Sequence, residues 1–303
     1  NKYIKENKFF TLNFKYIHYL CALMLKKNLI LLFCLGCILL TSCKSEYEKL
    51  RASNDVELVY KKALDYYNKK DYYKAQNLIE QILGRYRGKK EAEDLYVKYA
   101  YTHYYQGNYI LASSYFQNFA NTYITSSLRE EAAFMSAYSN YLQSPDYKLD
   151  QTYTLKAISE LEVFVNTFPK SERLKESNKL IDELRAKLEK KAFEEGLLYY
   201  NLKQYQSASI TFNNMLKDFP DSDNIEQIRY YIVKANYTLA ENSIYSKKLD
   251  RYQETLVAAE LFKSKFFKSK DLKEVNSILK QTKENIKKLE NDGHQDKGAG
   301  NRS

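Results

Sequence analysis

Reactive side chains are few in this 303-residue sequence. Four cysteines, Cys21, Cys34, Cys37 and Cys43, all fall within the first 43 positions. The three histidines are His18, His103 and His294. Beyond Cys43 there is no thiol and there are only two His, too few for a usual zinc site. The G-x-x-x-x-G-K and G-x-G-x-x-G loops that cradle phosphates are missing, as are H-E-x-x-H and the G-x-S-x-G elbow. Acid pairs such as Glu130-Glu131 and Glu194-Glu195 are neighbours in sequence, and neighbours on a helix point apart rather than converge. These patterns argue against an enzyme, a metal centre and a cofactor. One thiol remains of interest, Cys43, because of what precedes it.

Met24-Leu25-Lys26-Lys27 is a short basic stretch, residues 29–40 are apolar and uncharged, and Leu40-Thr41-Ser42-Cys43 follows. The run is shorter than the ~20 residues of a spanning helix and has the length of a secretory h-region. Basic, apolar, then Leu-small-small-Cys resembles a bacterial lipoprotein signal with its lipobox. The resemblance implies cleavage before Cys43, a diacylglycerol thioether on its sulfur and an N-acyl group. Several acyl chains anchor stably, since each buried CH₂ contributes ~0.8 kcal/mol. On this reading residues 24–42 are the signal peptide and 43–52 a lipidated tether. Residues 1–23 precede a start at Met24 and are taken as a gene-model extension or upstream leader. An exported body with no spare thiol forms no disulfide.

The rest of the chain must position whatever binds. Eight Gly and three Pro are too few for the turns of a sandwich, barrel or doubly wound sheet. A hydrophobic content of 44% excludes wholesale disorder. The net charge of +10 is not concentrated: residues 1–42 hold six Lys and one acid, and the remaining 261 hold 42 basic and 37 acidic residues. That mixed surface does not argue for nucleic acid.

A repeat sets the architecture. A small residue is followed twelve positions later by Ala, with Tyr three before that Ala: Ala63, Tyr72, Ala75; Ala100, Tyr109, Ala112; Gly196, Tyr205, Ala208. A large apolar residue sits four beyond the second Ala, at Ile79, Phe116 and Phe212, and an aromatic eleven beyond, at Tyr86, Tyr123 and Phe219. Two units with longer inner loops run from Ala137 to Ala157 and from Ala235 to Ala258. Phe168-Pro169-Lys170-Ser171 and Phe219-Pro220-Asp221-Ser222 close two units. The pattern resembles the tetratricopeptide repeat and predicts an all-α, superhelical array of about five helix pairs, because one pair cannot bury its apolar face alone. Apolar positions of 271–290 space as a helix that caps the array, so the repeat domain is set at 53–290. Positions 291–303 are expected to be a disordered tail.

Concave positions of such an array come from the first helix of each pair, at −3, +1, +4 and +5 from the small residue. They yield a tyrosine-rich lining: Tyr60 and Tyr67, then Tyr101, Tyr104 and Tyr105, then Tyr138 and Tyr141. Tyr offers large amphipathic area at low entropy cost and suits extended peptides with aromatic side chains. Asn68 and Asn201 match a carboxylate clamp, but no Lys stands at −3, which argues against one.

A lipobox followed by five such repeats resembles the BamD family, lipoproteins of the outer-membrane β-barrel assembly machine. The longer inner loops and the two Phe-Pro closures are the most specific details. The resemblance implies a non-enzymatic scaffold, lipid-anchored in the outer membrane and facing the periplasm. Its N-terminal repeats would receive unfolded outer-membrane proteins. Its C-terminal repeats, about 187–290, would dock on the periplasmic domains of BamA and on accessory lipoproteins. Two alternatives are another envelope tetratricopeptide lipoprotein adaptor, in peptidoglycan or secretion machinery, and a SusD-like surface ligand-capture lipoprotein. For the latter the chain is short and has no Trp to stack on sugars.

Overall fold

The computed structural model describes residues 45–299, with side chains described to 292. Cys43 and the segments before it lie outside the described residues, as does the end of the chain. Two compact units divide the chain after Gly107. Among the described residues all regular structure is helical.

The first unit holds α1 (Glu46–Arg51), α2 (Val56–Asn68), α3 (Tyr72–Leu83), a 3₁₀ turn (Gly84–Tyr86) and α4 (Ala92–Tyr105). Helix starts are written in the sequence: Asp55 accepts from the Leu58 N–H at 3.0 Å and Asp71 from the Lys74 N–H at 3.3 Å. Such caps satisfy donors that a helix leaves open at its start. α3 packs on α2 and on α4. The small residues Ala63, Ala75 and Ala100 are fully buried, and Leu78, Ile79, Ile82 and Leu95 fill the space around them.

The second unit holds α5 (Tyr109–Thr122), α6 (Arg129–Gln143), α7 (Thr152–Thr167), α8 (Leu174–Asn201), α9 (Tyr205–Asp218), α10 (Ile225–Glu241), α11 (Tyr245–Lys265) and α12 (Leu272–Ala299). Each packs on the next in chain order. The expected large apolar residues Phe116, Leu161, Phe212 and Phe262 are fully buried. Burying a Phe or Leu stabilises by about 1.5–3 kcal/mol each.

The Phe-Pro closures have a specific construction. Phe168 and Phe219 end α7 and α9, and each N–H still reaches the carbonyl four residues back. The Ser three positions later accepts from the N–H two residues on: Ser171 from Arg173 at 3.1 Å, Ser222 from Asn224 at 3.0 Å. Each Ser hydroxyl then donates to a Glu on an earlier helix, Ser171 to Glu130 and Ser222 to Glu189, both at 2.6 Å. The closure thus turns the chain and pins it to an earlier helix.

Three-residue turns end α2, α4 and α8, and the middle residue of each is left-handed: Lys70 at φ 61°, Gly107 at 77° and Lys203 at 61°. A lysine held there costs about 1 kcal/mol that glycine avoids.

The structure settles one feature that the sequence reading left open and differs from that reading in two places. α8 is one continuous helix of 28 residues, about 42 Å long at 1.5 Å per residue. It packs on α7 of the third repeat and on α9 of the fourth. In the last repeat the fully buried small residue is Ala259, and Ala258 is half-buried. α12 continues through Ala299, past position 290. Its Val275, Ile278 and Leu279 pack with Val233, Ala259 and Phe262.

Candidate functional site

In the first unit the tyrosines of α2, α3 and α4 form a connected ring cluster. Tyr67 meets Tyr72 edge-on at 5.6 Å, and Tyr72 stacks on Tyr105 at 4.4 Å. Tyr105 stacks on Tyr101 at 5.7 Å and meets Tyr104 edge-on at 5.4 Å. Helical geometry explains the Tyr101–Tyr105 stack, since residues four apart share a face. Offset and edge-on pairs are the arrangements that aromatic quadrupoles favour. The Lys98 ammonium lies 5.8 Å from the centre of the Tyr67 ring and pairs with Asp94. Tyr105 is the most open member, 49% exposed.

Tyr60 belongs to a different contact. Its ring stacks at 4.9 Å on Tyr86, which is buried at the end of the first repeat. The four register positions explain this. At −3, Val97 and Phe134 are buried and Tyr60 is half-buried. At +4, Tyr67, Tyr104 and Tyr141 are half-buried, and at +5 Asn68, Tyr105 and Asn201 are exposed. The −3 position points toward packing, and accessibility rises toward the end of each first helix. Tyr72 carries no lining position in the sequence reading, which marks it only as a position of the repeat. Its stacking on Tyr105 joins α3 to α4, and its edge-on contact with Tyr67 extends the link to α2; only the folded geometry reveals that.

Burial pushes the Tyr67 hydroxyl well above its ordinary value, helped by Tyr105, Tyr72 and Asp94. Burial does the same at Tyr60, with Asp94 and Glu91 adding to it. Both hydroxyls are therefore protonated at neutral pH and can donate.

Tyr138 and Tyr141 lie in the second unit, on α6. Tyr138 stacks between Phe134 at 5.7 Å and Tyr141 at 5.6 Å. The Tyr141 hydroxyl donates to Glu183 on α8 at 2.8 Å, and that bond, then burial, raises its pKa. The same tie recurs further on, where Tyr230 donates to Glu274 at 2.5 Å. Beneath Tyr138, Phe134 is covered by the Arg173 guanidinium at 4.3 Å, which pairs with Glu131 at 2.7 Å.

The sequence reading also missed a buried polar cluster. Asn140 is fully buried and donates to Ser113 at 2.7 Å and to Glu160 at 2.9 Å. Ser136 donates to the same Glu160 oxygen at 2.8 Å. A cavity of about 250 Å³ opens beside it, lined in part by Arg129, Ser136, Glu160 and Phe168. Among the described residues no group of three or more His, Cys, Asp or Glu is placed to hold a metal ion. No helix among them is long and apolar enough to cross a membrane.

His103 is 3% exposed on α4 and meets Tyr99 edge-on at 4.9 Å. Burial lowers its pKa, and Glu80 pulls weakly the other way. The neutral imidazole is therefore the folded form. As pH falls through the unfolded value of about 6.5 toward the lower folded one, the unfolded chain binds the extra proton first and stability drops. His103→Gln is expected to flatten that acid limb in thermal melts run across the range. A limb of unchanged slope would assign it to other groups.

Comparison with known proteins adds two partial similarities. The YfiO family model, described as an outer membrane lipoprotein, matches residues 52–194. A putative outer membrane protein assembly factor BamD from Aquifex aeolicus (strain VF5) is 28% identical over 211 residues, 66% of each chain. The chain is similar to both over part of its length. The match spans slightly less than two thirds of that relative's length. Solved structures that resemble this chain include the TPR domain of P58(IPK), at 14% identity, covering 82% of this chain and 72% of that one, TM-score 0.36. Another is a Podosopora anserina kinesin light chain with TPR-like repeats, at 11% identity, 71% and 97% coverage, TM-score 0.30. Overlaps this loose leave the repeat assignment to the helix order and the packed small residues.

Proposed function

We propose that this protein is a lipid-anchored scaffold of the outer-membrane β-barrel assembly machine, tethered through Cys43. It binds unfolded outer-membrane proteins on the tyrosine cluster of the first unit and docks on BamA and accessory lipoproteins through its C-terminal repeats, about 187–290. The observation that carries the reading is the coincidence of an outer membrane lipoprotein match over residues 52–194 with a half-exposed ring cluster in the same segment. The cluster offers ring faces and hydroxyls rather than fixed charge. It therefore suits aromatic side chains of an extended client, with backbone hydrogen bonds adding register.

The chemistry required is reversible capture alone. The test places a photo-crosslinker at Tyr104 or Tyr105 in cells synthesising a barrel protein. Adducts with the nascent chain are expected. Adducts found only elsewhere on the protein would remove the client role from this cluster. In a purified system, Tyr105→Ala is expected to weaken binding of a barrel protein's C-terminal peptide by about tenfold or more, as loss of an interface aromatic does.

A further inference from the structure

The turns that end α8 and α10 expose an unusual set of side chains. Leu198 and Leu202 are 56% and 58% exposed, and Ile244 and Tyr245 are 67% and 58% exposed. Arg251 draws the two turns together. Its guanidinium bonds the Ser243 hydroxyl and reaches Gln206 at the start of α9 at 3.5 Å. Segments 198–204 and 242–249 contain Lys203, Lys247 and Lys248, and Glu241 and Asp250 flank the second segment. None of these three lysine side chains makes an ion pair among the described residues. Lys203 also occupies the left-handed turn position that glycine would fill without strain.

We infer that these joined turns form a membrane-contacting edge that seats on an anionic bilayer surface. The side chains fit that occupant. Leu and Ile at turn tips enter the acyl boundary, Tyr prefers the headgroup level, and Lys stems lie along apolar surface while the ammonium stays wet. Lys203, Lys247, Lys248 and Arg251 outnumber the flanking Glu241 and Asp250, so the edge is net positive and complements anionic headgroups, an attraction that fades with salt. The residues sit at helix ends and in the turns beside them rather than along a groove, which favours a flat lipid surface over a helix or strand. The inference rests on the lipoprotein reading only for which membrane is met.

The chain has no Trp, so one introduced Trp reports its surroundings cleanly. Tyr245→Trp is made in the full chain and reconstituted in vesicles of brominated phosphatidylcholine mixed with phosphatidylglycerol. Phe267→Trp serves as reference. Phe267 is 67% exposed just past the far end of α11, about 30 Å away along a helix rising 1.5 Å per residue. Bromine quenching is expected at 245 and not at 267, weaker when phosphatidylglycerol is left out. Changing Lys203, Lys247 and Lys248 together to Glu should cut the quenching by about threefold or more. If that triple variant fails to fold, the comparison of the two vesicle types with Tyr245→Trp alone decides. Equal quenching at 245 and 267 would overturn the inference, as would quenching at 245 indifferent to lipid charge. The vesicles hold no client and no BamA, so a negative result leaves the scaffold reading untouched.

Discussion

Gly196→Ala is expected to lower stability even though alanine is the better helix former. A Cβ built on Gly196 would stand 2.6 Å from Phe212 Cε1 and 2.7 Å from its Cζ. The ring cannot retreat easily: Phe212 is fully buried, with Tyr231 stacked on it at 5.5 Å and Phe193 at 5.8 Å. Replacing a mid-helix glycine gains about 1 kcal/mol of propensity. Overpacking a filled core costs about 1–3 kcal/mol. With the ring held on two sides the second term wins, and Gly196→Val should cost about 3 kcal/mol. For a domain this size each kcal/mol moves the melting temperature by about 2–4 °C. Thermal melts followed by circular dichroism read the effect. Phe212→Leu in the Gly196→Ala background should recover part of the loss, a coupling between touching residues. A Gly196→Ala protein that melts higher than the parent would show that the ring moves freely.

That position shows how far the sequence speaks. It marks Gly196 as the small residue of its repeat, alongside Ala63, Ala100, Ala137 and Ala235, all fully buried. Helix pairing, polar three-residue turns and Phe-Pro closures follow from spacing for the same reason: local chemistry sets them. Why the fourth repeat needs Gly rather than Ala depends on the side of the helix where a ring from α9 arrives, which spacing does not encode. The slip from Ala258 to Ala259 has a similar origin. Residues three and four before Phe262 share one helix face, so periodicity cannot separate them. The length of α8 was hidden because no Gly or Pro stands between 174 and 195 to mark a break or its absence. In the tyrosine cluster, Tyr67, Tyr101, Tyr104 and Tyr105 were legible from register. Tyr72 was not, because its contact with Tyr105 joins helices from two different repeats.

The polar cluster around Asn140 leads to the sharpest electrostatic expectation. The Asn140 amide nitrogen lies 2.9 Å from a Glu160 carboxylate oxygen that also accepts from Ser136 at 2.8 Å. Asn140 is fully buried, and the Glu160 side chain is only 14% exposed. Asn140→Asp keeps the shape and replaces a donor by an acceptor. Two carboxylates then share one site, and the one ion-paired cation, the half-exposed Lys156 ammonium 3.8 Å from the other Glu160 oxygen, offsets only part of the added charge. The loss at neutral pH should be about 3 kcal/mol, the low end of the cost of leaving a buried charge short of a partner. The pair responds by holding one proton, so its folded pKa rises above the ordinary carboxylate value of about 4. A folded state that binds more protons than the unfolded chain loses stability as pH rises. The gap between parent and variant in urea unfolding should therefore be widest near pH 8 and narrow toward about pH 4. A gap of constant size across that range would mean that the loss comes from shape or from the missing Ser113 bond, and that the two carboxylates do not meet.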